Sequence, residues 1–163
     1  MFSKILIANR GEIALRIIRT CKKMGIKTVA IYSEADVSAL HVSEADEAVA
    51  ICGVTPRESY LVMEKVLEAA RETGAEAIHP GYGFLSENAL FAQAVADAGM
   101  VFIGPSPKAI QALGDKTAAR EIAIASNVPI SPGSDGAISD EAEVIRIAGE
   151  IGYPVLLKAA AGG

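Results

Sequence analysis

Ile5-Leu6-Ile7-Ala8-Asn9-Arg10-Gly11-Glu12-Ile13-Ala14-Leu15-Arg16-Ile17-Ile18-Arg19-Thr20-Cys21 falls into three parts, and the fold follows from how they join. Residues 5–8 are a short apolar run rich in β-branched side chains, the pattern of a strand buried on both faces. From Ile13 the period changes. Ile13, Ala14, Ile17, Ile18 and Cys21 share one helical stripe, and Arg16, Arg19, Lys22 and Lys23 lie largely off it. Between strand and helix sits Asn9-Arg10-Gly11-Glu12, a tight turn whose single glycine lets the backbone approach an anion at the helix amides.

The same alternation continues outward. Apolar runs recur at 28–32, 48–51, 77–78 and 101–103. Helical stripes recur as Val62, Met63, Val66, Leu67, Ala70 and as Leu90, Phe91, Ala94, Val95, Ala98. Gly25, Gly74, Gly99 and Gly152 each follow a stripe and precede a predicted strand, where a left-handed cap is wanted. Ser106-Pro107 reads as an N-cap with proline at the first helical position. The expected class is α/β, a Rossmann-like parallel sheet with helices on both faces.

The pattern breaks after Leu113. Gly114-Asp115-Lys116 opens a helix to about Ser126, and Ser131-Pro132-Gly133-Ser134-Asp135-Gly136 forms a loop. A helix over 139–151 and a strand over 154–158 follow, and the chain runs out at Ala161-Gly162-Gly163. One strand and one long helix cannot close a sheet domain. Residues 1–113 are therefore read as one domain and 114–163 as the truncated start of a second.

The 163 residues carry a formal charge of −5, which argues against a nucleic-acid partner. About half of them, 51%, are apolar, enough for a sizeable core. The two cysteines, Cys21 and Cys52, lack metal-ligand spacing and read as reduced thiols serving as small apolar residues. Neither a leader peptide nor a run long enough for a membrane span is present, so a cytoplasmic or mature organellar protein is expected.

In open α/β sheets ligands bind beyond the carboxyl ends of the strands. The loops 9–12, 79–88 and 104–106 all follow predicted strands and should share that edge. The first turn lacks the three spaced glycines of a dinucleotide fingerprint, although Glu34 sits about where a ribose-binding acid would. An anion site, a dinucleotide site and a plain turn all stay open there. His79-Pro80-Gly81-Tyr82-Gly83-Phe84-Leu85-Ser86-Glu87-Asn88 is longer than a strand-to-helix link needs, and its glycines flank a tyrosine. His79 can be read as a structural histidine or as a catalyst. Lys158, ahead of Gly162-Gly163, is placed like a phosphate grip, and Lys116 could reach the same ligand. Each is also readable as a solvated lysine.

Together these segments resemble the biotin carboxylase family over essentially the whole chain. The resemblance is carried by residues 4–14, by the decapeptide 79–88, by Phe102-Ile103-Gly104-Pro105 and by Gly114-Asp115-Lys116. Pro132-Gly133-Ser134-Asp135-Gly136 and residues 152–163 complete it.

The resemblance implies a Rossmann-like domain followed by the start of an ATP-grasp fold. It implies an enzyme that uses ATP and Mg2+ to activate bicarbonate as carboxyphosphate, then carboxylates biotin on a carrier protein or domain. Lys116 and Lys158 match ATP-binding lysines, and Gly162 and Gly163 match the start of a glycine-rich lid. Tyr82 and Gly83 match a loop beside the biotin site. The first helix, with Arg16 and Arg19, matches a region near a homodimer interface, and a carboxyltransferase is the implied downstream partner.

No catalytic or metal-ligating residue is assigned within the chain. The family's acidic Mg2+ ligands, general base and substrate-binding arginine fall beyond Gly163, so this segment alone is expected to be inactive. Carboxylases of acetyl-CoA, propionyl-CoA, methylcrotonyl-CoA and pyruvate share the region, which leaves the final acceptor open. A non-catalytic Rossmann-like nucleotide-binding module and another ATP-grasp ligase are the competing readings.

Overall fold

The computed structural model describes residues 1–114, 116–134 and 136–158, apart from the side chains of residues 116 and 117. The chain divides into two compact units, Met1–Ile110 and Gln111–Gly163.

The first unit is built on five parallel strands: β1 (Lys4–Ile7), β2 (Lys27–Tyr32), β3 (Glu47–Ala50), β4 (Ala77–His79) and β5 (Val101–Phe102). Their order is β3-β2-β1-β4-β5. Ile5 pairs with Thr28 on one side and Ala77 on the other. The chain thus winds outward from β1 through β2 to β3, then crosses back to lay β4 on the other side of β1. The winding direction reverses between β1 and β4, the position where ligands commonly bind at the carboxyl ends of strands in open α/β sheets.

The helices are α1 (Gly11–Lys23), α2 (Leu40–Glu44), α3 (Met63–Thr73), α4 (Ala89–Asp97) and the start of α5 (Pro107–Gly114). Successive strand residues point to opposite faces. Ile5, Ile7 and Ala77 meet Ala14, Ile17, Ile18 and Cys21 of α1 on one face. Leu6, Val29, Ile31 and Ile78 meet Val66, Leu67, Phe91 and Val95 of α3 and α4 on the other. Burial on both faces explains why β1, β2 and β4 read as continuous apolar runs, whereas β3 at the sheet edge is largely exposed. Each fully buried isoleucine or leucine contributes roughly 1.5–3 kcal/mol.

The predicted caps hold with one change. Gly74 ends α3 in the left-handed region at φ 67°, ψ 33°. Gly152 also has positive φ, but its ψ of 140° leaves it outside the left-handed helical region expected of it. Ser106 accepts the Ala109 N–H at 3.2 Å, as an N-cap does. The sequence pattern did not indicate α2 or the 3-10 turn at Glu34–Asp36, both too short to show a period. Cys21 is buried, but Cys52 is exposed at positive φ of 38°, so it does not serve as a small apolar core residue.

The second unit contains α6 (Lys116–Ala125) and α7 (Glu141–Ile151). The strand expected over 154–158 is not formed. No strand lies beside it among the described residues, and a strand without a ladder leaves its backbone groups to water. Leu156 and Leu157 are accordingly 77% and 75% exposed. No described helix is long and apolar enough to cross a membrane.

Candidate functional site

The parallel sheet brings the turn after β1 and the loop after β4 side by side. Ala8 donates its backbone N–H to His79 O at 2.9 Å, extending the β1–β4 ladder to the edge. Asn9 follows, buried although polar, and its carboxamide bridges the two loops. Nδ2 donates to Pro80 O at 2.8 Å and to Tyr82 O at 3.0 Å. Oδ1 accepts the Arg10 N–H at 2.9 Å. Both amide hydrogens and one oxygen lone pair are thereby used.

The 79–88 loop is held at several further points. His79 Nδ1 accepts the Gly81 N–H at 3.0 Å. Gly81 lies so close to Asn9 that a Cβ there would come within 2.6 Å of Nδ2, and its φ of 67° excludes most side chains anyway. Phe84, itself at positive φ of 48°, stacks on Tyr60 at 5.3 Å between ring centroids. Leu85 is buried in the core. Asn88 is a helix cap, accepting the Phe91 N–H at 3.0 Å. The loop is thus anchored on both sides of Tyr82, whose own ring is 65% exposed. Its hydroxyl lies 3.4 Å from Glu12 Oε2 at the start of α1.

Beneath this edge lies a polar network that the sequence did not announce. Asp36 is buried and accepts from Arg10 Nη2 at 2.7 Å, Ser33 Oγ at 2.9 Å and the Tyr60 hydroxyl at 2.7 Å. The Tyr60 oxygen in turn accepts the Ser33 N–H at 3.1 Å. Burial opposes ionisation of Asp36, but the hydrogen bonds from Tyr60, Arg10 and Ser33 outweigh it and lower its pKa. Burial, then the Asp36 carboxylate, pushes Tyr60 up to about 12. Tyr60 sits in an irregular stretch between β3 and α3, where no periodicity marks it.

His41 is 1% exposed, with Nε2 3.3 Å from Ile31 O and no hydrogen-bond partner for Nδ1 among the described residues. Burial lowers its pKa, and burial likewise lowers that of His79.

The structure brings together the turn 9–12, His79, Tyr82 and Gly83, as the strand pattern predicts. β5 ends on the same edge, so the 104–106 loop leaves from it as well. Glu34 accepts the Gly53 N–H at 3.1 Å through Oε1. Lys158 is exposed in the second unit, and Lys116 opens α6 with its side chain outside the described residues. Gly162 and Gly163 also lie outside the described residues. Among the described residues no three His, Cys, Asp or Glu side chains gather as a metal site.

Known proteins show the same architecture. The family described as biotin carboxylase, N-terminal domain, matches residues 1–110. The ATP binding domain of the carbamoyl-phosphate synthase L chain matches residues 115–163. The biotin carboxylase of Halalkalibacterium halodurans is 59% identical over 163 residues, which is all of this chain and 36% of that protein. The human mitochondrial propionyl-CoA carboxylase alpha chain is 57% identical over 162 residues, or 99% of this chain and 22% of the relative.

Among solved structures, one is the biotin carboxylase domain dimer of Hydrogenobacter thermophilus 2-oxoglutarate carboxylase, bound to MgADP, ADP and bicarbonate. It superposes with a TM-score of 0.89 at 56% identity over 100% of this chain and 36% of that one. The Campylobacter jejuni biotin carboxylase–β,γ-ATP complex gives 0.91 at 48% identity over the same shares. The chain spans about a third or less of the length of these relatives. Residues 1–110 make up most of this sequence, and by them the chain belongs to the biotin carboxylase N-terminal domain family.

Proposed function

We propose that this chain is the amino-terminal part of an ATP-dependent biotin carboxylase. The observation that carries the reading is the 79–88 loop, fixed on the carboxyl edge with Tyr82 exposed, in a chain 59% identical along its whole length to a biotin carboxylase. In the complete enzyme the γ-phosphoryl group of ATP passes to a bicarbonate oxygen and ADP leaves. The carboxyl group of the resulting carboxyphosphate then passes to a ureido nitrogen of biotin, and phosphate leaves with the ureido proton.

Phosphoryl transfer depends on charge neutralisation and positioning more than on covalent chemistry. Lys116 and Lys158 are assigned to ATP, and Gly162 and Gly163 to a lid that keeps water from the acyl phosphate. Tyr82 and Gly83 are assigned to the biotin side. The proposal includes a domain boundary at 113/114, a homodimer contact through exposed Arg16 and Arg19 of α1, and a cytoplasmic setting. A carrier bearing biotin and a carboxyltransferase are the partners. Relatives acting on propionyl-CoA and 2-oxoglutarate are 57% and 56% identical, so this region does not select the final acceptor.

The test is a chimera in which this chain replaces the matching third of the H. halodurans enzyme. Bicarbonate- and biotin-dependent ATP cleavage by the chimera is expected, with none by the 163-residue chain alone. An inactive but folded chimera, or tight binding of NAD by the chain, overturns the reading.

A further inference from the structure

We propose that Asn9 and His79 are positioning residues for Tyr82: together they fix the backbone on both sides of Gly81 and so aim the exposed tyrosine at its ligand. The inference rests on the assignment of Tyr82 and Gly83 to the biotin side, and goes beyond it by naming what sets their geometry.

Asn9 is 4% exposed and lies between β1 and α1, where its side chain reaches the loop after β4. It spends both amide hydrogens on carbonyls 71 and 73 residues away, those of Pro80 and Tyr82. These two carbonyls bracket Gly81, so one planar amide fixes their spacing and orientation. The residue between them is fixed a third time, by the Gly81 N–H bond to His79 Nδ1 at 3.0 Å. That bond needs a lone pair on Nδ1, and the lowered pKa of His79 keeps it available. Gly81 admits no Cβ against Asn9, so the fit is steric as well as polar. Tyr82 itself is 65% exposed, and its hydroxyl makes a long 3.4 Å contact to Glu12 Oε2. An exposed side chain on a backbone clamped this closely can meet something outside the chain with the backbone's ordering cost already met in folding.

A purely structural role would cost stability without selecting one substrate. A positioning role predicts a split. In the chimera, Asn9→Ala and His79→Ala should each raise the KM for free biotin about tenfold, the effect of roughly one to two lost hydrogen bonds. The KM for ATP should stay within about twofold, since the lysines assigned to ATP lie in the other unit. His79→Asn places a carboxamide oxygen near the Nδ1 position and should restore the biotin KM.

A readout without ligand accompanies this in the 163-residue chain. Amide exchange of Gly81 should accelerate in His79→Ala and return to the unsubstituted rate in His79→Asn. If Asn9→Ala does not fold, the His79 pair and the Gly81 amide decide the matter. An unchanged biotin KM in Tyr82→Ala would remove the biotin assignment itself. A raised KM in Tyr82→Ala with unchanged values in Asn9→Ala and His79→Ala would overturn the positioning role alone. Equal rises for ATP and biotin would also overturn it.

Discussion

The guanidinium of Arg10 lies 2.7 Å from the carboxylate of Asp36, joining the turn after β1 to the 3-10 turn after β2. The other carboxylate oxygen is held by Tyr60, whose ring supports Phe84 in the 79–88 loop. Three separate stretches of chain therefore meet at one buried carboxylate.

Tyr60→Phe keeps the ring stack but removes a donor to Asp36 and the acceptor of the Ser33 N–H, all of them buried. Unpairing these groups should destabilise the chain by about 1–3 kcal/mol. Denaturant unfolding measures it, and an unmoved midpoint would show that water replaces the hydroxyl at no cost.

Stability should fall on both sides of neutrality. His41 and His79 have folded-state pKa values below the ordinary 6.5, so below that pH the unfolded chain binds protons that the folded chain does not. Stability is then full above about 6.5 and declines as the pH drops through the folded values. Asp36, also depressed, adds to the loss only below about its ordinary 3.8. At the alkaline end Tyr60 stays protonated in the folded chain up to about 12 while the unfolded phenol ionises near 10, so stability declines between them. His41→Gln retains a donor for Ile31 O and should flatten the acid limb, and Tyr60→Phe the alkaline one. Melting temperatures across the pH range check both, and parallel curves for variant and parent would refute the assignment.

Gly81 and Gly83 offer a matched comparison. Both have φ near +70°, but only Gly81 faces Asn9; a Cβ on Gly83 meets nothing within 4 Å. Backbone strain from alanine should cost about 1–2 kcal/mol at either site. The clash with Asn9 should make Gly81→Ala the more destabilising of the two. Chemical denaturation of both variants tests this, and equal losses would mean that the Asn9 contact yields freely.

Lys116→Gln and Lys158→Gln bear on the proposed ATP site. A charge-assisted bond to phosphate is worth roughly 1.5–3 kcal/mol, so each change should weaken ATP binding about ten- to a hundredfold in the chimera. Biotin kinetics should hardly move. Unchanged ATP kinetics in both would leave them as surface charges.

Exchange rates should divide the chain. Beyond Gln111, Ala148 is the one buried residue among the described residues, whereas β1 and β2 are buried almost throughout. Elements with so little buried surface open at low free-energy cost. Amides of α7 and of 153–158 should therefore exchange well before those of β1. Uniformly slow exchange, in the chain free of any partner, would contradict the division.

The sheet was legible in the sequence because strands buried on both faces announce themselves as apolar runs, and residues 5–8 and 28–32 were placed to within a residue or so. The shared edge followed from parallel topology alone. The hydrogen bonds on that edge were not legible. Asn9, Asp36 and His41 act through partners distant in sequence, which no local period encodes. The reading also failed at 154–158, where β-forming residues lack a neighbour. Local preference proposes a strand there, and only pairing can make one.

The reversal between β1 and β4 also bears on the order of assembly. β1, β2 and β3 join to sequence neighbours, with Lys4 meeting Lys27 and Val29 meeting Glu47. Ile5 meets Ala77 only after the whole intervening chain has been drawn into a closed loop. Loop-closure entropy makes that the slower joining. The first three strands with α1 can form a template while the 79–88 loop is still unplaced. Asn9, waiting at the end of the first strand, is then among the first polar contacts to receive the late-arriving segment. The hydrogen bonds between the turn after β1 and the 79–88 loop are thus expected to form after the β1–β2–β3 pairing.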